Sequence, residues 1–292
     1  MDEAAYQQHK LRRCLQQYPL VLPGLTFREV LHESDNAVIL LAENTAHLPF
    51  AVKRFKFDAP LIASAVLDDF LLTSRALGLL QQRGLVRVLD AGMVDGAIYL
   101  RMEYIQGDTL RHHLETSPLP PLPQRLQWFE ELLAAVGAMH SLCLLHRDLK
   151  PANILVREDG SLALLDFGIE SRLLLEAGFL QADEVYCTPY YISPERIMGE
   201  DADERSDLYA LGVILYELLT GDKPYDAKTL EELLKKHLLA PIPRLPVALQ
   251  SFQPLLEGLL AKFLDNRLQS VSDVACLLLD AMQQLDRHNR TT

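Results

Sequence analysis

The sequence predicts an α+β fold in which a strand-rich first third precedes a mainly helical remainder. Strand-type runs at 27–31, 37–42 and 50–55 follow one another closely, and a helical stretch at 61–82 separates them from two further strands. Beyond Gly107 the periodicity is mostly helical. At 292 residues the chain is long for one compact core, and 49% hydrophobic residues can fill more than one.

Residues 1–24 read as an extension: a short surface helix with Ala5, Leu11 and Leu15 on one side, ended by Pro19 and Pro23-Gly24. A helix is expected over 122–140, with Trp128 and Phe129 as core contacts, and residues 118–123 read as a stiff proline-rich loop before it. The apolar run 208–219 includes Glu217 and is too short to span a bilayer, so it reads as a buried helix.

Two motifs carry the chemistry. His146-Arg147-Asp148-Leu149-Lys150-Pro151-Ala152-Asn153 is followed thirteen positions later by Asp166-Phe167-Gly168. Moving the terminal phosphoryl group of a nucleotide requires metal ions, oxygen ligands for them and a carboxylate that orients the attacking hydroxyl. Asp148 suits the hydroxyl, Asn153 and Asp166 suit Mg²⁺, and Lys150 adds positive charge beside the migrating group. Apolar flanks on both sides of the first motif predict a loop held between buried segments.

These motifs resemble those of the eukaryotic-type protein kinase family, in its Ser/Thr branch and most like its bacterial members. Ala51-Val52-Lys53 is similar to the strand with the phosphate-binding lysine, and Ser193-Pro194-Glu195 to the end of the activation segment. The run from Arg205 to Gly212 that contains Asp207 resembles the buried helix that anchors the catalytic loop, and Arg267 the arginine that pairs with Glu195. Six such matches in order cover about residues 25–285.

The resemblance implies a two-lobed protein-kinase-like fold: a small β-rich lobe with one long helix over 25–103, a larger, mainly helical lobe over 104–286, and a tail at 287–292. ATP with Mg²⁺ or Mn²⁺ would bind in the cleft between the lobes. Met102, as gatekeeper, with Glu103, Tyr104 and Ile105 would hold adenine, and Ala51 and Leu155 would sandwich the ring. Leu31 and Ile39 join the nucleotide contacts, and Lys53 holds the phosphates. Asn153 and Asp166 hold the metals, Asp148 orients the hydroxyl and Lys150 stabilises transferred charge. His146 resembles the hydrophobic spine histidine that packs against Phe167, with Leu77 and Leu89. Thr188 resembles the threonine that bonds Asp148 and Lys150.

Two departures bear on activity. His32, Ser34 and Ala37 stand where the family's hairpin has glycines, and losing glycine at a strained position costs on the order of 1 kcal/mol. Ser34 and Asn36 offer phosphate hydrogen bonds in exchange, whereas Glu33 and Asp35 repel it. Thr73 stands where the helix glutamate would pair with Lys53; Asp69, one turn earlier, and Asp166 are the alternative partners. An active kinase is therefore weighed against a pseudokinase that works as a binding or scaffolding module, and retention of every metal ligand favours activity. A small-molecule kinase is a third reading, disfavoured by the thirty residues between Asp166 and Glu195.

Arg147 marks kinases whose loop is steadied by an activation-segment phosphate. Between Ser171 and Thr188 there is no serine or threonine, only Tyr186, so Asp183 and Glu184 are read as permanent substitutes for the phosphate. A net charge of −12 disfavours nucleic acid, four scattered cysteines fit a reduced compartment, and Cys187 reads as a filler residue. No signal peptide or membrane span is evident. A soluble cytoplasmic protein is expected, with protein substrates and a cognate protein phosphatase as the partners the resemblance implies.

Overall fold

The computed structural model describes residues 3–80, 82–168, 173, 174, 177, 178 and 189–291, and their side chains apart from those of 3, 4 and 288–291. The chain divides into two compact units, the first a β-sheet with helices, the second mainly helical.

The first unit is built on a five-stranded antiparallel sheet of β1 (Leu25–Glu33), β2 (Ala37–Asn44), β3 (Pro49–Asp58), β5 (Val88–Val94) and β6 (Ala97–Glu103), in the order β1-β2-β3-β6-β5. Register sets the faces. Ile39 lies opposite Lys53, and Lys53 opposite Leu100; Ala51 lies opposite Met102. Directly opposed residues share a face, so Ile39, Ala51, Lys53 and Met102 stand on one side.

Val38, Leu40, Ala42 and Val52 alternate onto the other side, and each is 1% exposed or less. Helix α1 (Glu3–Gln17) and the segment after it cover that face. Cys14 packs with Val30, Val38 and Leu40, joined by Leu11, Leu15 and Tyr18. Leu20 and Leu22 pack with Ala42, Val52, Ala97 and Tyr99. Ala5, expected on the packed side of α1, is exposed, and Cys14 is the buried anchor instead.

Helix α2 (Ser64–Leu79) packs along β5. It is shorter than the predicted 61–82 because Pro60 initiates a separate 3₁₀ turn, Ala59–Leu61, and because Leu80 turns to extended backbone.

The second unit carries a small sheet, β4 (Gly84–Leu85), β7 (Gly107–Thr109), β8 (Ile154–Arg157) and β9 (Leu162–Leu164), in the order β4-β9-β8-β7. Its helices are α3 (Leu110–Glu115), α4 (Leu122–His140), α5 (Pro194–Ile197), α6 (Glu204–Thr220), α7 (Leu230–Leu239), α8 (Gln253–Leu259) and α9 (Val271–Thr291). The core sits where α4 meets α6, α9 and β9. Phe129 and Leu211 are fully buried there, and Trp128 donates its indole N–H to Gly160 O at 2.8 Å. Asp203 caps α6 by accepting from the Arg205 N–H, and Gly221 ends it at φ +85°.

Among the described residues no helix is long and apolar enough to cross a membrane.

Candidate active site

In the second unit the first motif forms a loop suspended from helix α6. Asp207, 2% exposed, accepts the backbone N–H of His146 at 2.8 Å and of Arg147 at 3.0 Å, and its Oδ2 lies 3.0 Å from His140 Nε2. Arg147 sits at φ +66° and Asp166 at φ +55°, conformations that cost a non-glycine residue on the order of 1 kcal/mol and persist only when neighbours enforce them. Arg196 adds a guanidinium hydrogen bond to Arg147 O.

Asp148 is gripped by its own motif. Lys150 Nζ lies 2.6 Å from Asp148 Oδ2, while Asn153 Nδ2 donates to Asp148 O at 2.9 Å and to Oδ2 at 3.0 Å. With its amide hydrogens aimed at Asp148, Asn153 keeps Oδ1, a hard oxygen donor, for a cation. The Leu165 N–H donates to Asn153 O at 2.8 Å, so Asp166 follows directly on a residue tied to Asn153. A carboxamide oxygen and a carboxylate are the donor types that suit Mg²⁺ or Mn²⁺, with phosphate oxygens and water to complete the shell. Among the described residues no group of three or more His, Cys, Asp or Glu could hold a metal alone.

His146 is 1% exposed, but its role is not purely hydrophobic as expected. Its Nε2 lies 2.9 Å from Leu165 O and its Nδ1 accepts the Asp148 N–H at 3.3 Å, the pattern of the tautomer protonated at Nε2. It ties the two motifs together through polar contacts. Gly168, at φ +64°, follows Phe167, which is 1% exposed; a Cβ on Gly168 would meet Leu145 O at 2.4 Å and His146 O at 2.6 Å.

Arg267 bonds Glu195 through both guanidinium arms, at 2.8 and 2.9 Å, and Ser206 donates to the same carboxylate at 2.6 Å. Burial pushes the Glu195 carboxyl up, but the Arg267 hydrogen bonds and charge, with Ser206, outweigh it and bring it down to about 2. A second ion pair joins half-buried Arg111 to buried Glu217, and the sequence does not announce it. Arg111 Nη2 lies 2.9 Å from Glu217 Oε2, and Tyr191 donates to Glu217 Oε1 at 2.6 Å. Burial raises the Glu217 pKa against the opposing pull of Tyr191 and Arg111. A lone glutamate in an apolar helix was the available signal, since a buried carboxylate needs a cation.

In the first unit Lys53 is 6% exposed on β3, with its Nζ 5.8 Å from the Phe55 ring centroid, and Ile39, Ala51 and Met102 share its sheet face. Leu31 lies at an irregularity between Val30 and His32 and is 37% exposed. Glu103 exchanges hydrogen bonds with Arg87, accepting through Oε1 and donating its N–H, both at 3.0 Å; Tyr104 and Ile105 follow it out of the sheet. Thr73 and Asp69 lie one turn apart on α2. Leu155 is on β8 of the second unit.

The β1–β2 turn differs from expectation. None of residues 33–37 has a positive φ, so the absence of glycine costs no backbone strain. Ser34 Oγ donates to Asn36 Oδ1 at 2.7 Å and accepts the Ala37 N–H at 3.3 Å, closing the turn with side chains. Ser171, Asp183, Glu184, Tyr186, Cys187 and Thr188 lie outside the described residues, and with them the reading of the activation segment.

Residues 36–292 match the family model described as "Protein kinase domain". The chain is 37% identical over 196 residues to the serine/threonine-protein kinase PknL of Mycobacterium tuberculosis, covering 67% of this chain and 49% of that protein. It is 35% identical over 224 residues to PknD of the same species, covering 74% and 33%, and 32% identical over 203 residues to the probable serine/threonine-protein kinase PknB of Lactococcus lactis, covering 68% and 32%. The chain thus spans half or less of the length of these relatives. With a family match over residues 36–292 and bacterial serine/threonine-protein kinases among its relatives, the chain belongs to the protein kinase domain family.

Proposed function

We propose that this chain is a protein serine/threonine kinase that transfers the γ-phosphoryl group of ATP, with Mg²⁺ or Mn²⁺, to hydroxyls of protein substrates and to itself. The observation that carries the reading is the grip on Asp148 by Lys150 and Asn153, tied through Leu165 to Asp166. A carboxylate fixed this way can accept a hydrogen bond from an acceptor hydroxyl and orient it for in-line attack. Lys150 stands 2.6 Å from that carboxylate and would stabilise charge on the group in transit. Asn153 Oδ1 and Asp166 would hold the metal, which when bound neutralises the phosphate charge. In the first unit Lys53 would hold the nucleotide phosphates, Met102, Glu103, Tyr104 and Ile105 the adenine, and Ile39, Leu31 and Ala51, with Leu155 of the second unit, its apolar surroundings.

A cytoplasmic location, a cognate phosphatase and activation independent of phosphorylation on the activation segment, with Asp183 and Glu184 in the phosphate's place, belong to the same proposal. The pseudokinase reading rests on two departures from the family, the glycine-free β1–β2 turn and Thr73 on α2 where the family carries glutamate. Asp69 on the same helix, or otherwise Asp166, is the proposed partner of Lys53 in place of that glutamate.

The test is transfer of labelled γ-phosphate to the protein and to a generic acceptor protein, with Asp148→Asn alongside. Incorporation lost in Asp148→Asn, with nucleotide binding retained, is the expected result. Incorporation no higher than that of Asp148→Asn would establish the pseudokinase.

A further inference from the structure

The β1–β2 turn is anchored from the neighbouring strand and, through it, from outside the sheet. Lys56 of β3 holds both of its ends: its backbone N–H donates to Asn36 O at 2.8 Å, and its Nζ lies 2.9 Å from Glu33 Oε1. Lys56 in turn lies under Tyr18, the residue that follows α1, with Nζ 5.1 Å from the ring centroid. The same ring lies 5.9 Å from the Arg54 guanidinium, which bonds Asp58 at 2.7 Å. Tyr18 is itself fixed, its N–H donating to Cys14 O at 2.8 Å, and Cys14 is buried against Val30, Val38 and Leu40. An unbroken chain of contacts therefore runs from the packed helix through Tyr18 and Lys56 to the turn.

Charge gives this chain of contacts a purpose. The turn carries Glu33 and Asp35 beside Ser34 and Asn36, and with the Ser34 hydroxyl committed to Asn36 Oδ1, two carboxylates stand in a turn that would meet phosphate. A carboxylate near a phosphate is unfavourable unless a cation compensates it. Lys56 supplies that cation for Glu33, and the Glu33 carboxyl is held below its ordinary range first by its hydrogen bond to Lys56, with Lys10 and Arg13 of α1 also lowering it. A lysine ammonium held over an aromatic face is steadied by the ring's negative face, the more so when desolvated, and the Lys56 side chain is 12% exposed.

We propose that Tyr18 is a positioning residue for the nucleotide: it fixes Lys56, which orders the Glu33–Asn36 turn and neutralises Glu33, so that a glycine-free turn can face phosphates. The proposal rests on the kinase reading above, and it assigns residues that precede the family match a part in nucleotide affinity.

The experiment compares wild type with Tyr18→Ala, Tyr18→Phe and Lys56→Met in two readouts, amide hydrogen exchange across residues 33–37 and steady-state kinetics with ATP. Tyr18→Ala and Lys56→Met should speed exchange in the turn and raise KM for ATP about fivefold with kcat within twofold, while Tyr18→Phe, which keeps the ring face, should match wild type. Unchanged exchange in Tyr18→Ala would overturn the proposal whatever the activity. Faster exchange with an unmoved KM would overturn the positioning role, as would equal defects in Tyr18→Ala and Tyr18→Phe. Lys56→Met retains most of the packed stem and decides the matter if Tyr18→Ala does not fold. A wild-type chain without phosphoryl transfer would overturn the kinase reading instead, and the exchange comparison alone would then decide the turn's dependence on Tyr18.

Discussion

Asn153 holds Asp148 twice with one nitrogen, its Nδ2 donating to the backbone oxygen at 2.9 Å and to the carboxylate at 3.0 Å. The residue proposed as a metal ligand is therefore also the clamp on the residue proposed to orient the acceptor.

Asn153→Ala should lower kcat by at least about 10²-fold, since it frees the carboxylate and removes an oxygen donor together. Labelled phosphate transfer reads the rate, and the urea midpoint checks that the fold survives. Wild-type kcat in this variant would take Asn153 out of the site.

Glu195 and Arg267 supply a stability test. Arg267→Met leaves the Glu195 carboxylate buried without its cation, which should cost about 3–5 kcal/mol in urea unfolding. The Glu195 carboxyl titrates at about 2 in the fold, against 4.5 ordinarily. Its contribution is therefore present above pH 4.5 and lost as pH falls from there toward 2. Glu195→Gln should flatten the acid side of the stability profile in that window, and an unchanged profile would contradict the assignment.

Gly168→Ala combines a clash with two carbonyl oxygens and a left-handed backbone, and both penalties fall on the loop that carries Asp148. The expected outcome is a melting temperature several degrees lower and activity reduced by more than tenfold. A variant with wild-type melting and rate would show that the loop can move aside.

Leu22→Ala and Leu79→Ala separate the covered sheet face from ordinary surface. Leu22 is 6% exposed within a cluster, and its truncation should cost about 2–5 kcal/mol; Leu79 is 83% exposed and should change stability by less than about 0.5 kcal/mol. Equal, small effects would mean that the segment after α1 is not part of the core.

The legible parts of the molecule were the local ones. Asp148, Lys150 and Asn153 lie within one short motif, and α4 is legible from its helical periodicity, although Pro123, read with the loop, belongs to its first turn. The role of Leu20 and Leu22 was hidden because their segment is irregular and has no period to read. Glu217 and Arg111 were hidden because more than a hundred positions separate them in sequence, and nothing near either one names the other. The charge of the β1–β2 turn was readable, whereas its relief by Lys56 was not, since Lys56 lies 23 positions from Glu33 on another strand.

Asp207 lies 61 positions after His146 and is the acceptor that fixes the backbone of the Asp148 loop. Contacts of such sequence separation form late, because the intervening chain must first give up its freedom. During synthesis both motifs emerge well before α6 exists, so a nascent chain carries the full inventory of functional side chains with nothing to arrange them. Recovery of function on refolding should accordingly keep pace with docking of α6 rather than with formation of the small sheet beside the loop.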